Sequence, residues 1–524
     1  MNKKSNFLFI SVILASSLLF AIFIFKPWIY FKKTVSNGYN IQALSLSENQ
    51  KLEDLNYLFE VICSSVPMIN EYEEKYGFSF AKRKNEYVNL IKKTKSNYEY
   101  YSTMEAILED VPSFHTDLVS PDSVSMLNCY NIENILSNDK NMAYNKYWSD
   151  YLNSEREKIS DAKYWCFSYI DGKYIYDPRF STADNNKKLA INKIDGYSPD
   201  EYVIMNQSAF NLYYDGKNDK PCRSYIVFNE QSGKEVSLIC QDSSGNHFEK
   251  KLYIDFCFEN SFIDTVMPIE DAAIIHKQLD NITYVKIDEF NVNYGNEIRK
   301  ILSESMENVI IDLRDNFGGY PEFDSEYIYP ELFSDDMIIE KKWFMVDSEE
   351  NKKKIVDNVF TGLFLDLKPT DDCPYDTGDG KKYLYSVSTY NYQSNRNTNK
   401  NVILLVSHNT GSAADYFASF VKDNDLGIVI GNNTGGEGLM RSFVVDVLPN
   451  SHLPFIYMPG AAKNADGSDN SVVGTAPDEY VEMTEDNLYK RIEMSDKGEN
   501  TSSLENMIIY DSVLKRAIDI LKNP

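Results

Sequence analysis

The chain has 524 residues, with 53 Lys and Arg against 79 Asp and Glu, a formal net charge of −26 and a pI near 4.7. That length allows roughly two to four domains, each with a core of ordinary size. Such acidity opposes nucleic-acid phosphates and anionic lipid headgroups, so no nucleic-acid partner is expected and the charge is read as serving solubility.

The chain opens with Met1, Asn2, Lys3 and Lys4, and an uncharged apolar run follows from Phe7 to Phe25. This run is long enough to span a bilayer, with Trp28 and Tyr30 suited to the aromatic belt. A cleavable signal peptide is the alternative. The length of the run, the large residues after it and the lack of a small-x-small site favour an uncleaved anchor. Residues 1–33 are therefore read as a membrane anchor or signal segment, the bulk being extracytoplasmic, or secreted if the segment is cleaved. Seven cysteines, at 63, 129, 166, 222, 240, 257 and 373, include no C-x-x-C pair and have no histidine at metal-ligand spacing. Neither a metal nor a cofactor is expected. A Cys222 to Cys240 bridge is one reading, and buried free thiols are the plainer one.

Residues 45–150 read as a helical domain. Leu52, Leu55, Leu58, Phe59 and Ile62 recur at helical spacing, Tyr72 to Phe78 is polar, Phe80 to Lys93 resumes the pattern, and Tyr98 to Leu108 makes a further helix ending near Pro112. Between 160 and 260 the pattern changes to short alternating segments, among them Trp165 to Ile170 and Tyr225 to Phe228, separated by turns such as Asp171-Gly172. Tyr284 to Phe290 then alternates like a strand, and Asn296 to Met306 can form a helix. Asn308 to Leu313 is a strand that runs through Arg314, Asp315, Asn316 and Phe317 into Gly318-Gly319. Residues 320–400 read mostly as surface loop.

Val402 to Val406 is a buried strand that breaks polar before Ser412, and Ala413 to Val421 is a helix with Asp415 in its first turn. A second buried strand, Gly427 to Ile430, ends in the turn Thr434-Gly435-Gly436-Glu437-Gly438. A serine on a strand-to-helix turn holds its hydroxyl near unpaired N–H groups, which suits a nucleophile; the plain alternative is that Ser412 caps the helix. Ser442 to Leu448 and Leu453 to Met458 read as a strand pair. The segment 501–524 reads as a capped amphipathic helix made for packing.

Three of these segments together resemble the tail-specific, or C-terminal-processing, serine peptidases: Asp312 to Gly319, Ser412 to Asp415, and Gly474-Thr475-Ala476-Pro477-Asp478. The resemblance spans roughly 50–485 and is closer to the tricorn-core and retinoid-binding-protein-like branch. It implies an α/β fold: a crotonase-like αβ sandwich core over 266–490, carried with the N-terminal helical domain and a β-rich insert over 160–260, where Ile191 to Pro199 resembles a PDZ strand and turn and a plain β-rich insert is the equal alternative. It also implies a peptide or protein substrate. Ser412 would be the nucleophile, with Gly318 or Gly319 and Ala413 holding the oxyanion.

One branch of that family uses a lysine in the slot that Glu437 fills here, and a carboxylate is too weak a base to replace it. The other branch uses a histidine behind a helix, and Ser113-Phe114-His115-Thr116-Asp117-Leu118 resembles its signature, which makes His115 the candidate base. Its orienting glutamate would fall at Ser471, so the orienting role stays open between Ser113, Glu437 and Asp469. His408, four residues before Ser412, is the weaker competitor for the base. The reading is an extracytoplasmic serine peptidase, and the alternative is an inactive binding or scaffold protein on the same fold.

Overall fold

The structure is a computed structural model and describes residues 41, 43–77, 79–111, 113, 115–121, 139–156, 163–183, 188–205, 212–231, 233–254, 274–357, 368–369, 381–438 and 443–523. Its first layer is helical: α1 (Glu48–Ser65), α2 (Ile69–Tyr76), α3 (Lys84–Lys93), α4 (Asn97–Leu108) and α5 (Asp139–Arg156). Ser47 and Gln50 close α1 with a reciprocal capping box, and Ser96 caps α4. The sequence reading misses α2, because the polar face of Asn70, Glu71, Glu73 and Glu74 hides the buried line of Ile69, Tyr72 and Tyr76. Asp54 of α1 is buried and accepts bonds from Tyr100 Oη at 2.9 Å, Asn450 N at 2.7 Å and Ser451 N at 2.9 Å. One carboxylate thus ties this layer to a turn some 400 positions away in the chain.

After the two-residue strand β1 (Asp117–Leu118), the next unit is a closed six-stranded barrel with strand order β2-β3-β4-β8-β9-β7. Its strands are β2 (Tyr164–Ile170), β3 (Lys173–Tyr176), β4 (Leu189–Ile194), β7 (Tyr225–Asn229), β8 (Lys234–Asp242) and β9 (His247–Ile254), and the helix α6 (Pro199–Met205) follows β4. Trp165, Phe167, Tyr176, Ile226, Phe228 and Leu238 fill it. Between α6 and β7 a separate two-stranded hairpin, β5 (Leu212–Asp215) with β6 (Lys220–Arg223), leaves the barrel. Cys222 and Cys240 are both buried free thiols, so the bridge considered between them is not made; Cys63 and Cys166 are free too. The remaining three cysteines, and the anchor read at 7–25, lie outside the described residues. Among the described residues no helix is long and apolar enough to cross a membrane.

The core is a six-stranded sheet of order β10-β11-β12-β16-β17-β21. β10 (Ile274–Leu279) is antiparallel to β11 (Ile282–Ile287), and from β11 onward all pairings are parallel, through β12 (Asn308–Asp312), β16 (Asn401–Val406), β17 (Ile428–Gly431) and β21 (Glu479–Tyr480). The apolar runs in β12 and β16 are continuous because both faces of the sheet are covered. Val309, Ile311, Val402 and Leu404 face the large core that includes Phe417 and Phe420 of α8 (Ala413–Asp423). Ile310, Ile403, Leu405 and Ile430 face Leu504, Val513, Leu514 and Ala517 of the C-terminal helices α9 (Leu504–Tyr510) and α10 (Ser512–Lys522). Each such side chain contributes about 1.5–3 kcal/mol by burial. The single C-terminal helix read from sequence is broken at Asp511, whose carboxylate caps α10 and receives both Nη atoms of Arg314, at 3.0 and 2.7 Å.

α7 (Val292–Ser303) crosses between β11 and β12, starting four residues earlier than the periodicity suggests because Asn291 caps it. Residues 320–400 are more structured than expected. β13 (Met337–Val346) and β15 (Tyr383–Tyr392) pair along ten positions, joined by β14 (Lys368–Pro369) and β20 (Gly460–Ala461) in a four-stranded sheet. β15 alternates, largely through Tyr, Ser and Thr rather than aliphatic residues, and β13 carries Glu340, Lys341 and Lys342 at its centre, so both read as loop. β18 (Val444–Val447) and β19 (Pro454–Tyr457) form the expected antiparallel pair, and β1 joins β19 as its third strand.

Candidate active site

The carboxyl ends of β12, β16 and β17 open onto three loops at one edge of the parallel sheet: 313–319, 407–412 and 432–438. This is where open α/β sheets bind ligands. The first two loops are laced together, since Ser407 Oγ donates to Arg314 O at 2.5 Å, Thr410 Oγ1 to Leu313 O at 2.7 Å and Gly411 N to Asn316 O at 3.0 Å. Ser412 sits at the head of α8 with φ 50° and ψ −126°, a left-handed conformation that costs a non-glycine residue on the order of 1–3 kcal/mol. It makes no side-chain cap to the helix, so the plain reading of this serine as a helix cap is not what the fold uses it for. Gly318, at φ 103°, passes so close that an added Cβ would stand 2.7 Å from Ser412 Cβ and 2.9 Å from Ala413 N. Only a glycine fits there.

The oxyanion candidates divide. The Gly318 N–H donates to Asn316 Oδ1 at 2.8 Å and is spent inside its own loop, which removes it from the set. The N–H groups of Gly319 and Ala413 have no acceptor among the described residues; Ala413 directly follows the serine, and Gly319 directly follows the glycine packed against it. Asn316, buried and also donating to Ile287 O at 3.0 Å, is a positioning residue that the sequence reading does not assign. Its place in the run before the double glycine is the signal that could have found it.

His115 arrives from the other side of the molecule. The stretch before it is clamped at Asp110, which accepts from Arg83 Nη1 at 2.6 Å and Tyr87 Oη at 2.7 Å. Burial pushes the Asp110 carboxyl up to about 7, with the Arg83 charge opposing. Beyond His115, β1 pairs with β19 and Met458 N donates to Thr116 Oγ1 at 3.3 Å. The ring stacks on Phe443, centroids 5.7 Å apart at 15°.

Glu437 joins the two halves. Its fully buried carboxylate meets His115 Nδ1 at 2.7 Å and accepts from His115 N at 2.8 Å and from Ser113 Oγ at 2.5 Å. The Ser113 hydroxyl in turn accepts from Thr116 Oγ1 at 2.9 Å and His115 N at 3.3 Å. An anionic partner at Nδ1 holds the proton on that nitrogen and leaves the Nε2 lone pair to act as a base. The residues on either side of Glu437 touch the serine: Ser412 N donates to Gly436 O at 3.0 Å, and a Cβ on Gly438 would lie 2.2 Å from Ser412 O. One turn therefore carries the acid that holds the imidazole and the backbone that holds Ser412. Among the described residues no hydrogen bond runs from the His115 ring to the Ser412 hydroxyl; the two are linked through the Glu437 turn.

Of the three orienting candidates, Ser113 and Glu437 are at the histidine, whereas Asp469 is used elsewhere. It caps the short helix Asn470–Val473 through Ser471 N at 3.0 Å and pairs with Lys463 at 3.6 Å. His408 is likewise committed elsewhere. Its Nε2 meets Ser224 Oγ at 2.6 Å, and burial pushes the ring down to about 4 against the pull of Asp315, too low for an effective base at neutral pH. Among the described residues no group of three or more His, Cys, Asp or Glu could hold a metal ion.

Asp415 sets the turn in place. Buried at the first turn of α8, it accepts from Thr434 Oγ1 at 2.5 Å, Thr475 Oγ1 at 2.6 Å and Gly438 N at 3.0 Å, so one carboxylate spans the nucleophile helix, the Glu437 turn and the 470–475 segment. Burial raises its pKa, and these donors oppose the rise. Asp415→Asn would aim an amide N–H₂ at groups that are already donors. A loss of about 2–3 kcal/mol in urea unfolding is expected, with activity falling further than the folded fraction. An unchanged midpoint would show the network to be dispensable.

Residues 281–481 match the sequence model of peptidase family S41. No curated protein matches the chain by sequence. Among solved structures, mature CPAF is similar with a TM-score of 0.52 at 12% identity, covering 91% of this chain and 99% of that one. Mature CPAF complexed with lactacystin gives 0.51 at 12% identity, covering 92% and 100%. At that identity the likeness speaks for the fold, a mixed α/β peptidase fold. Residues 281–481, the segment that carries Ser412 and Glu437, are therefore similar to peptidase family S41, the tail-specific and C-terminal-processing serine peptidases, and the chain shares the fold of mature CPAF.

Proposed function

We propose that the chain hydrolyses peptide bonds through Ser412, with His115 as general base and acid, Glu437 and Ser113 orienting the imidazole, and the N–H groups of Gly319 and Ala413 stabilising the oxyanion. Ser412 Oγ attacks the scissile carbonyl while His115 Nε2 takes its proton, and the Glu437 carboxylate stabilises the imidazolium that results. Collapse of the tetrahedral species returns the proton to the leaving amine, and water then repeats the cycle on the acyl-enzyme. The observation that carries this reading is the Glu437 turn, which bonds His115 and Ser113 through its side chain and braces Ser412 through its neighbours. The glutamate that the resemblance would put at Ser471 is replaced by one from the slot where another branch keeps a lysine.

In this proposal the parallel sheet with helices on both faces is a crotonase-like core and the barrel is a degenerate PDZ-like domain. The enzyme works on an extracytoplasmic face, held by the apolar segment 7–25. The test is exposure to a fluorophosphonate followed by peptide mapping. A phosphonylated Ser412 is expected, with loss of the adduct in His115→Ala. No adduct and no peptide turnover would mean an inactive binding protein on a peptidase scaffold.

A further inference from the structure

His408 faces away from the nucleophile, although it lies only four residues ahead of Ser412. Its Nε2 and the Ser224 hydroxyl are hydrogen-bonded at 2.6 Å, and its ring lies flat on Tyr213, centroids 4.0 Å apart at 11°. Tyr213 belongs to β5 of the hairpin that leaves the barrel, and Ser224 lies in the link from β6 to β7. The opposite side of the same loop is fastened to 313–316 through Ser407, Thr410 and Gly411, so the loop that presents Ser412 is gripped from two sides.

The hairpin also reaches the second catalytic loop. At its tip, a Cβ on Gly216 would lie 2.2 Å from Asn433 Oδ1 and 2.3 Å from Tyr480 Oη, which are themselves bonded at 2.7 Å. Asn433 immediately precedes the turn carrying Glu437. A third contact, Tyr214 edge-on to Tyr76 at 6.4 Å, leads to the helical layer. One appendage of the barrel therefore packs against the nucleophile loop and against the approach to the turn that orients the histidine.

We infer that His408 is a positioning residue: through Ser224 and Tyr213 it latches the barrel hairpin onto the nucleophile loop and sets the place of Ser412 for catalysis. The inference rests on the Ser412 reading above. A displacement of about 1 Å at a reacting atom can cost on the order of a hundredfold in rate, so a latch of this kind acts on kcat more than on KM.

The test uses the full chain and reads the rate of fluorophosphonate labelling at Ser412, kcat and KM for a peptide, and the melting temperature. His408→Leu, which keeps apolar bulk and loses the hydrogen bond, and Ser224→Ala, which removes only a hydroxyl, are each expected to lower kcat and labelling rate about tenfold or more with KM within about twofold. The double variant should fall no further than the worse single one. His408→Gln, whose amide oxygen reaches nearly as far as Nε2, should recover most of the rate. If His408→Leu does not fold, the Ser224→Ala and His408→Gln pair still decides the matter. Losses that add in the double variant, or labelling at the wild-type rate in folded Ser224→Ala, would overturn the latch while leaving Ser412 as nucleophile. A wild-type protein that is neither labelled nor active would overturn the nucleophile reading itself, and the latch with it.

Discussion

Ser412→Ala and His115→Ala are each expected to lower kcat for peptide hydrolysis by roughly 10⁵–10⁶-fold with little change in KM, and the double variant should be no worse than either. The non-additivity follows from the arrangement. A hydroxyl without a base is no better a nucleophile than water, and an imidazole held by Glu437 has no proton to take once the hydroxyl is gone. What survives is the stabilisation offered by Gly319 and Ala413, enough to leave a trace above the uncatalysed rate. Both substitutions should fold. Ser412 Oγ makes no capping bond, and the His115 side chain is partly exposed, its loop being held by the Asp110 clamp and by β1. Circular dichroism and melting temperature check this, and a stopped assay on a peptide panel reads the rate. Turnover in folded Ser412→Ala within tenfold of wild type would remove the serine from the mechanism.

The parts of this site legible in the sequence are those governed by local pattern. Val402 to Val406 and the helix after Ser412 could be read because a buried parallel strand is a continuous apolar run, whereas Ser412, which alone reads as a helix cap, stands out only beside the Asp312 to Gly319 and Gly474 to Asp478 segments. His115 could be singled out only by resemblance, since nothing within ten residues of it says what it faces. Glu437 could be named as a candidate but not chosen. Its selection over Asp469 depends on a contact across 322 positions, and on a backbone φ of 62° that sequence pattern does not encode. Gly318 and Gly319 could not be told apart for a similar reason: two adjacent glycines look alike until Asn316 is seen to take the N–H of one of them. The β13–β15 pair was missed because Glu340, Lys341 and Lys342 interrupt the apolar run of β13, and β15 alternates through Ser, Thr and Asn as well as Tyr.

Glu437→Gln is the second large effect expected, a fall in kcat of roughly 10³–10⁴-fold with KM preserved. Glutamine is nearly isosteric, so the turn at 436–438 and its backbone contacts to Ser412 should persist. The electrostatics do not persist. The carboxylate now accepts from three donors, Ser113 Oγ, His115 N and His115 Nδ1, and an amide offers one oxygen and one N–H₂ in place of two acceptors. If the oxygen keeps the histidine, the N–H₂ meets the Ser113 hydroxyl and must turn it; if it keeps Ser113, the N–H₂ faces Nδ1 and favours the tautomer with the proton on Nε2, where it blocks the base. In neither arrangement is the imidazolium stabilised as it forms. Glu437→Asp retains the charge but is shorter by one methylene and cannot reach Ser113 and His115 together, so an intermediate loss is expected. The decisive comparison is with Asp469→Asn, which should affect the short helix at 470–473 and therefore stability rather than kcat per folded molecule. Full activity in Glu437→Gln alongside a thousandfold loss in folded Asp469→Asn would transfer the orienting role to Asp469 and would mean that the Glu437 contacts serve only to hold the loop.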